Sequence, residues 1–142
     1  MPNRLARRLR LGRRGSALVL VGACWVLLGV SVIIEPYSSA GWVPHEEIPG
    51  WARGIVWIAT GLIGVITAWW PPGKDRWGFA AIVLMPLERA ASFAVAAVGW
   101  ALPGIDHGAP RGWISALIWS AVVALIMLIT GWQEPPPKRG DK

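Results

Sequence analysis

The residues with the most chemical potential lie in the middle of an apolar stretch, Met85-Pro86-Leu87-Glu88-Arg89. A carboxylate beside a guanidinium can pair, line a pore or carry a proton, and the proline removes one backbone hydrogen bond from the helix that holds them. Arg89 lies twelve residues after Trp77 and thirteen before Leu102. At about 1.5 Å of rise per residue, that is roughly 18 Å along a helix from either end. Each charge held that deep in a bilayer costs about 2.5–3.5 kcal/mol, so both side chains are expected to face protein and not lipid. Neighbours on a helix point about 100° apart, which makes Glu88 and Arg89 a poor ion pair by spacing alone. Pro86 is expected to kink or restart the helix, leaving Glu88 in a first turn where exposed amides favour a carboxylate. Pairing with other protein groups is the first expectation, an oligomeric pore or water-lined cavity the second, and a proton path the third.

Elsewhere the chain offers little chemistry. His45-Glu46-Glu47 begins like a zinc-protease motif, but Pro49 stands where the second histidine is needed. His45, and His107 beside Asp106, are expected to be solvated loop residues. There is no glycine-rich phosphate loop and no nucleophile motif, so no catalytic residue, cofactor site or metal site is assigned, and the chain is not expected to be an enzyme. No small-molecule substrate is evident either. Cys24 is the one cysteine. The residues Val21-Gly22-Ala23-Cys24 resemble a lipobox, but only six apolar or small residues precede the cysteine and the apolar run continues through Ile34. Cys24 is expected to be a buried small apolar residue. Ser38-Ser39-Ala40 resembles a small-residue cleavage site, but the preceding run exceeds a usual signal region, so an uncleaved first helix is expected.

The elements that must position these residues are membrane spans. Residues 16–34 form a run of nineteen without charge, about the twenty that a hydrocarbon core of about 30 Å requires. Residues 54–70, 77–102 and 113–132 complete four spans joined by short connections. Prolines at 36, 44 and 49 argue against a further helix between the first two. The composition agrees: 54% of residues are hydrophobic and 15% charged, with eleven tryptophans. A soluble domain would carry more charge. The reading is an all-α integral membrane protein, one membrane domain over residues 1–142. It is an up-down-up-down bundle with tails at 1–15 and 133–142.

Orientation follows from lysine and arginine. The N-terminal segment carries Arg4, Arg7, Arg8, Arg10, Arg13 and Arg14; the second loop adds two basic residues and the tail three, eleven in all. The first and third loops contribute only Arg53 and Arg111. Both ends are therefore expected in the cytoplasm of a bacterial inner membrane. Trp51, Trp57, Trp100 and Trp113 are expected near the outer boundary, and Trp69, Trp70, Trp77 and Trp132 near the inner one. Trp25 and Trp119 fall mid-span and suit packing or lipid contact. The basic arm, within a net charge of +6, suits anionic headgroups, at roughly 1 kcal/mol per residue near the surface. Nucleic acid is not expected as a partner.

Gly22 and Gly29 are seven residues apart on the first span, as are Gly54 and Gly61 on the second, and the third continues through Ala91 and Ser92. Small residues on one face let helices approach closely, within one chain or between copies, and a homo-oligomer is expected. The basic tail, WWPPGKDRWGFA between the second and third spans, Pro86-x-x-Arg89, the PG before the third loop and the closing GWQEPPP together resemble the small four-span membrane proteins of actinobacterial bacteriophages. Some of those are holins, which accumulate in the host membrane and open lesions at lysis. The resemblance implies a self-assembling lesion former that permeabilises the host inner membrane. The alternative is a non-lytic accessory or structural subunit of a membrane complex, with a small transporter or proton channel less favoured because one span alone carries ionisable residues.

Overall fold

The computed structural model describes residues 12–35, 42–71, 73–102 and 108–131. Those residues form helices α1 (Arg13–Ile34), α2 (Gly50–Thr67), α3 (Arg76–Ala101) and α4 (Gly112–Gly131), with one 3-10 turn at Pro44–Glu47 before α2. At 22, 18, 26 and 20 residues, all four are long and apolar enough to cross a membrane. The chain is an all-helical, multi-pass membrane protein. α1 packs most closely on α2 and α3 on α4, α2 joins the two pairs, and α1 and α4 barely meet.

The helix ends differ from the hydropathy reading where charged or proline residues extend them. α1 begins three residues earlier than Ser16 and includes Arg13 and Arg14. α2 begins at Gly50, because Pro49 turns the chain and its carbonyl accepts from the Ala52 and Arg53 amides at 3.0 and 3.1 Å. It also stops at Thr67, three residues short of Trp70, and the chain turns ahead of Pro71. The prolines of the first loop do not exclude all helix, since Pro44 opens the 3-10 turn.

The four glycines form one seam between α1 and α2. A Cβ on Gly22 would lie 2.6 Å from the Gly61 carbonyl oxygen, and one on Gly29 would lie 2.6 Å from that of Gly54. Gly22 thus faces Gly61 and Gly29 faces Gly54, the register of an antiparallel pair held at backbone contact. Ala91 is exposed, whereas Ser92 is buried.

Pro86 neither restarts nor breaks α3, which runs unbroken from Arg76 to Ala101. The ring removes the N–H that would bond the Ile82 carbonyl four residues back. That carbonyl instead accepts from the indole Nε1 of Trp25 on α1 at 2.8 Å. Trp25 stands edge-on to Trp57, with ring centroids 5.0 Å apart, and both rings adjoin Trp119 of α4. Trp57 is therefore a core residue, 2% exposed, and not part of an interfacial belt. Trp51, Trp100, Trp113, Trp69, Trp70 and Trp77 do lie exposed near helix ends. Cys24 is exposed as well, because its position on α1 turns away from the seam, contrary to the buried site expected for it.

At the bundle end between α2 and α3, Arg14 reaches Asp75, with Nε 2.9 Å from Oδ2 and its guanidinium 5.1 Å from the Phe79 ring centroid. Asp75 also accepts from the Gly73 amide at 3.0 Å, and Gly73 has the positive φ of 92° that favours glycine. Arg14 thus ties the start of α1 to the start of α3, whereas Arg13 is exposed. Arg4, Arg7, Arg8, Arg10 and Trp132 lie outside the described residues.

Candidate functional site

The site is a polar cluster around Arg89, built where the 42–49 segment folds back against α3. Val43 and His45 are buried, with Val43 in one apolar cluster with Phe93, Ala96 and Ala109. The segment at the start of α4 docks beside it, the Ala109 amide donating to the Ala96 carbonyl at 3.2 Å. Pro44 and Pro49 bracket the turn that carries His45, and the ring sits edge-on to Phe93 at 5.3 Å. His45 is not the solvated loop residue expected.

The Arg89 guanidinium meets His45, Nη1 against Nε2. Arginine carries donors only, so Nε2 supplies a lone pair and the imidazole proton resides on Nδ1. Nδ1 is itself buried without a hydrogen-bond partner among the described residues. Burial first, then the charges of Arg89 and Arg53, hold the His45 pKa down to about 3 from 6.5. The ring is therefore neutral near pH 7 and acts as an acceptor, not as a second cation.

Arg89 is 8% exposed, and its guanidinium lies 5.7 Å from the Trp57 ring centroid. Glu88 is not its close partner. The nearest approach is 3.9 Å, Nε to Oε2, while Oε1 of Glu88 accepts from the Ser92 hydroxyl one turn on at 2.8 Å. The two charges thus diverge as adjacent helical positions do: Arg89 turns into the bundle, and the Glu88 side chain remains 38% exposed. Arg53 is the further ionisable group here. It is 8% exposed in the first turn of α2, and its Nε is buried with no hydrogen-bond partner among the described residues.

Depth follows from the contacts. Trp57 lies seven residues into α2, and Trp119 lies seven into α4. Both adjoin one layer with Trp25 and Arg89, so that layer is about 10 Å below the near ends of α2 and α4. α3 overshoots its neighbours: Gly112, the first residue of α4, packs on the Phe93 carbonyl and not on the end of α3. Arg89 is consequently nearer one rim of the bundle than the middle of its own helix implies.

Of the residues singled out from sequence, Pro86, Glu88 and Arg89 lie together with Ser92, while the glycine seam is separate. His45, Arg53 and Trp57 also belong to the cluster, and nothing in their spacing ties them to Arg89 beyond the two prolines that bracket His45. Among the described residues no group of three or more His, Cys, Asp or Glu could hold a metal ion. Asp106 and His107 lie outside them. No family model, curated protein or solved structure matches the chain.

Proposed function

We propose that this chain is a holin-like membrane protein, which accumulates in a bacterial cytoplasmic membrane with both ends inside, self-associates and opens a lesion. The observation that carries this reading is Glu88. Its side chain is 38% exposed within the span α3, beside the exposed Leu84, Ala91 and Val95 at i−4, i+3 and i+7. Lipid solvates a carboxylate poorly, whereas a second copy or a water-lined lesion supplies polar surroundings. Arg89 is taken up inside the chain, and so are the four glycines, so the edge of α3 with Glu88 and Ala91 becomes the contact between copies. The resemblance to four-span phage proteins points the same way.

Co-expression with an endolysin that lacks an export signal tests this function, because the enzyme reaches the cell wall only through a lesion. Culture lysis with both proteins, and none with the endolysin alone, is the expected result. Intact cells with the protein inserted at high copy would overturn it, and the same exposed carboxylate would then mark docking on a partner in a membrane complex.

A further inference from the structure

A cavity of about 370 Å³ lies between α1 and α4, the two helices that touch least. Its wall runs along α1 from Leu28 through Ser31 to Glu35, and along α4 from Trp119 to Ser115. Glu35 caps the end of α1, and Ser115 lies in the first turn of α4. The cavity therefore reaches the rim of the bundle where α1 ends and α4 begins. Glu35 and Ser31 are exposed at that mouth. From Glu35 back to Leu28 it descends about 10 Å by helical rise. At the base are Trp57 and Arg89, both buried. Trp57 and Trp119 there adjoin Trp25, with ring centroids 5.0 to 6.5 Å apart, and make a floor. Beneath the floor the core is apolar, with Leu18, Ile82, Met85 and Ile126 buried in one cluster with Trp25 and Trp57.

Two charged residues and two hydroxyl residues, Glu35, Arg89, Ser31 and Ser115, line this one space. A lipid tail offers such groups no partner, whereas water solvates all of them. Ionisable residues within spans face the bundle interior or a water-filled cavity. The volume holds on the order of ten waters at about 30 Å³ each. We propose that this cavity is a water-filled vestibule, which admits small hydrophilic solutes from that rim down to the level of Arg89 and is closed beneath by the layer of Trp25, Trp57 and Trp119. The vestibule carries the aqueous phase about 10 Å into the bundle, which lowers the cost of keeping the Arg89 cation within a span. The tryptophan layer is then the barrier between that water and the apolar half of the bundle. The inference depends neither on lesion formation nor on which ends of the chain are cytoplasmic.

Cysteine accessibility tests it on the full chain in a Cys24→Ser background. An impermeant cationic thiol reagent is applied to one face of the membrane in spheroplasts and to the other in inverted vesicles. A thiol reacts as its thiolate, which forms in water and not in lipid. Leu28 lines the cavity and its neighbour Leu27 does not, although Leu27 is the more exposed, 70% against 41%. Leu28→Cys is expected to label at least ten-fold faster than Leu27→Cys, and Ser31→Cys at least ten-fold faster than Val30→Cys, in each case from one face alone. Which face that is reports the orientation of the chain, so a failed topology and a failed vestibule read out separately. Val122 packs against the apolar cluster, one turn beyond Trp119. Val122→Cys should stay unlabelled from both faces and should become labelled once Trp119→Ala is added. The pairs on α1 leave the tryptophan layer intact and keep the test decisive if Trp119→Ala misfolds. Equal rates within both pairs, labelling of Leu28→Cys from both faces, or labelling of Val122→Cys with the tryptophan layer intact would overturn the proposal.

Discussion

The indole N–H of Trp25 donates to the carbonyl oxygen of Ile82 at 2.8 Å, replacing the donor that Pro86 lacks. A proline that would otherwise leave a buried carbonyl empty is thereby converted into a tie between α1 and α3. The tie predicts a specific coupling. Trp25→Phe in the parent should lose about 1–3 kcal/mol for the stranded carbonyl, beyond its packing cost. In a Pro86→Ala background the helix supplies its own donor, and the same change should cost less. Unfolding in mixed micelles of the four variants measures the difference; equal costs in both backgrounds would show that the indole bond contributes nothing.

Arg89 and His45 should couple more strongly than Arg89 and Glu88. Contacting groups in one network show interaction energies of about 0.5–3 kcal/mol, and separated ones add nearly independently. In double-mutant cycles of unfolding, Arg89→Gln with His45→Leu is expected to give the larger coupling. Arg89→Gln with Glu88→Gln is expected to be close to additive, since Nε and Oε2 are 3.9 Å apart and Ser92 holds the carboxylate. Reversal of that order would return Glu88 to the role of principal partner.

Acid should weaken the fold through His45. Its pKa is about 3 in the folded chain against 6.5 ordinarily, so between those values the unfolded chain binds a proton that the folded chain does not. The contribution of the neutral ring is complete above about pH 6.5 and is lost as the pH falls toward 3, with a slope approaching about 1.4 kcal/mol per pH unit. Melting temperatures between pH 7.5 and 4.5 should fall less steeply in His45→Gln than in the parent. Parallel curves would assign the acid sensitivity to other groups.

The spans were legible because twenty apolar residues have few other uses, and the glycine register because seven-residue spacing returns to one helix face. Glu88 and Arg89 stood out for the same reason that made the spans visible, a charge inside an apolar run. His45 did not. Its partner is 44 residues away, and its burial depends on how Pro44 and Pro49 fold a short loop inward, for which no periodic pattern exists. Trp57 was misplaced for a related reason: four residues into the expected span it reads as interfacial, but α2 begins at Gly50, so it lies a turn deeper. The bond between Trp25 and Ile82 was half visible, since Pro86 announces a free carbonyl without naming its donor.

The orientation proposed here rests on eleven basic residues against two. In a Cys24→Ser background, an impermeant thiol reagent applied to intact spheroplasts should label cysteines at the exposed Ile48 and Pro110 and should not label one at the exposed Lys74. Labelling at position 74 with protection at 48 would invert the orientation.

Glu88 as the group that drives assembly is tested most directly by following membrane potential in a bacterial host during expression, with inserted protein quantified in the same samples. The parent is expected to leave the potential intact until a threshold density and then collapse it abruptly. Glu88→Leu, inserted to the same level, is expected to delay or abolish that collapse. An unchanged potential at high copy of the parent, or identical timing in Glu88→Leu, would contradict the lesion mechanism proposed for this chain.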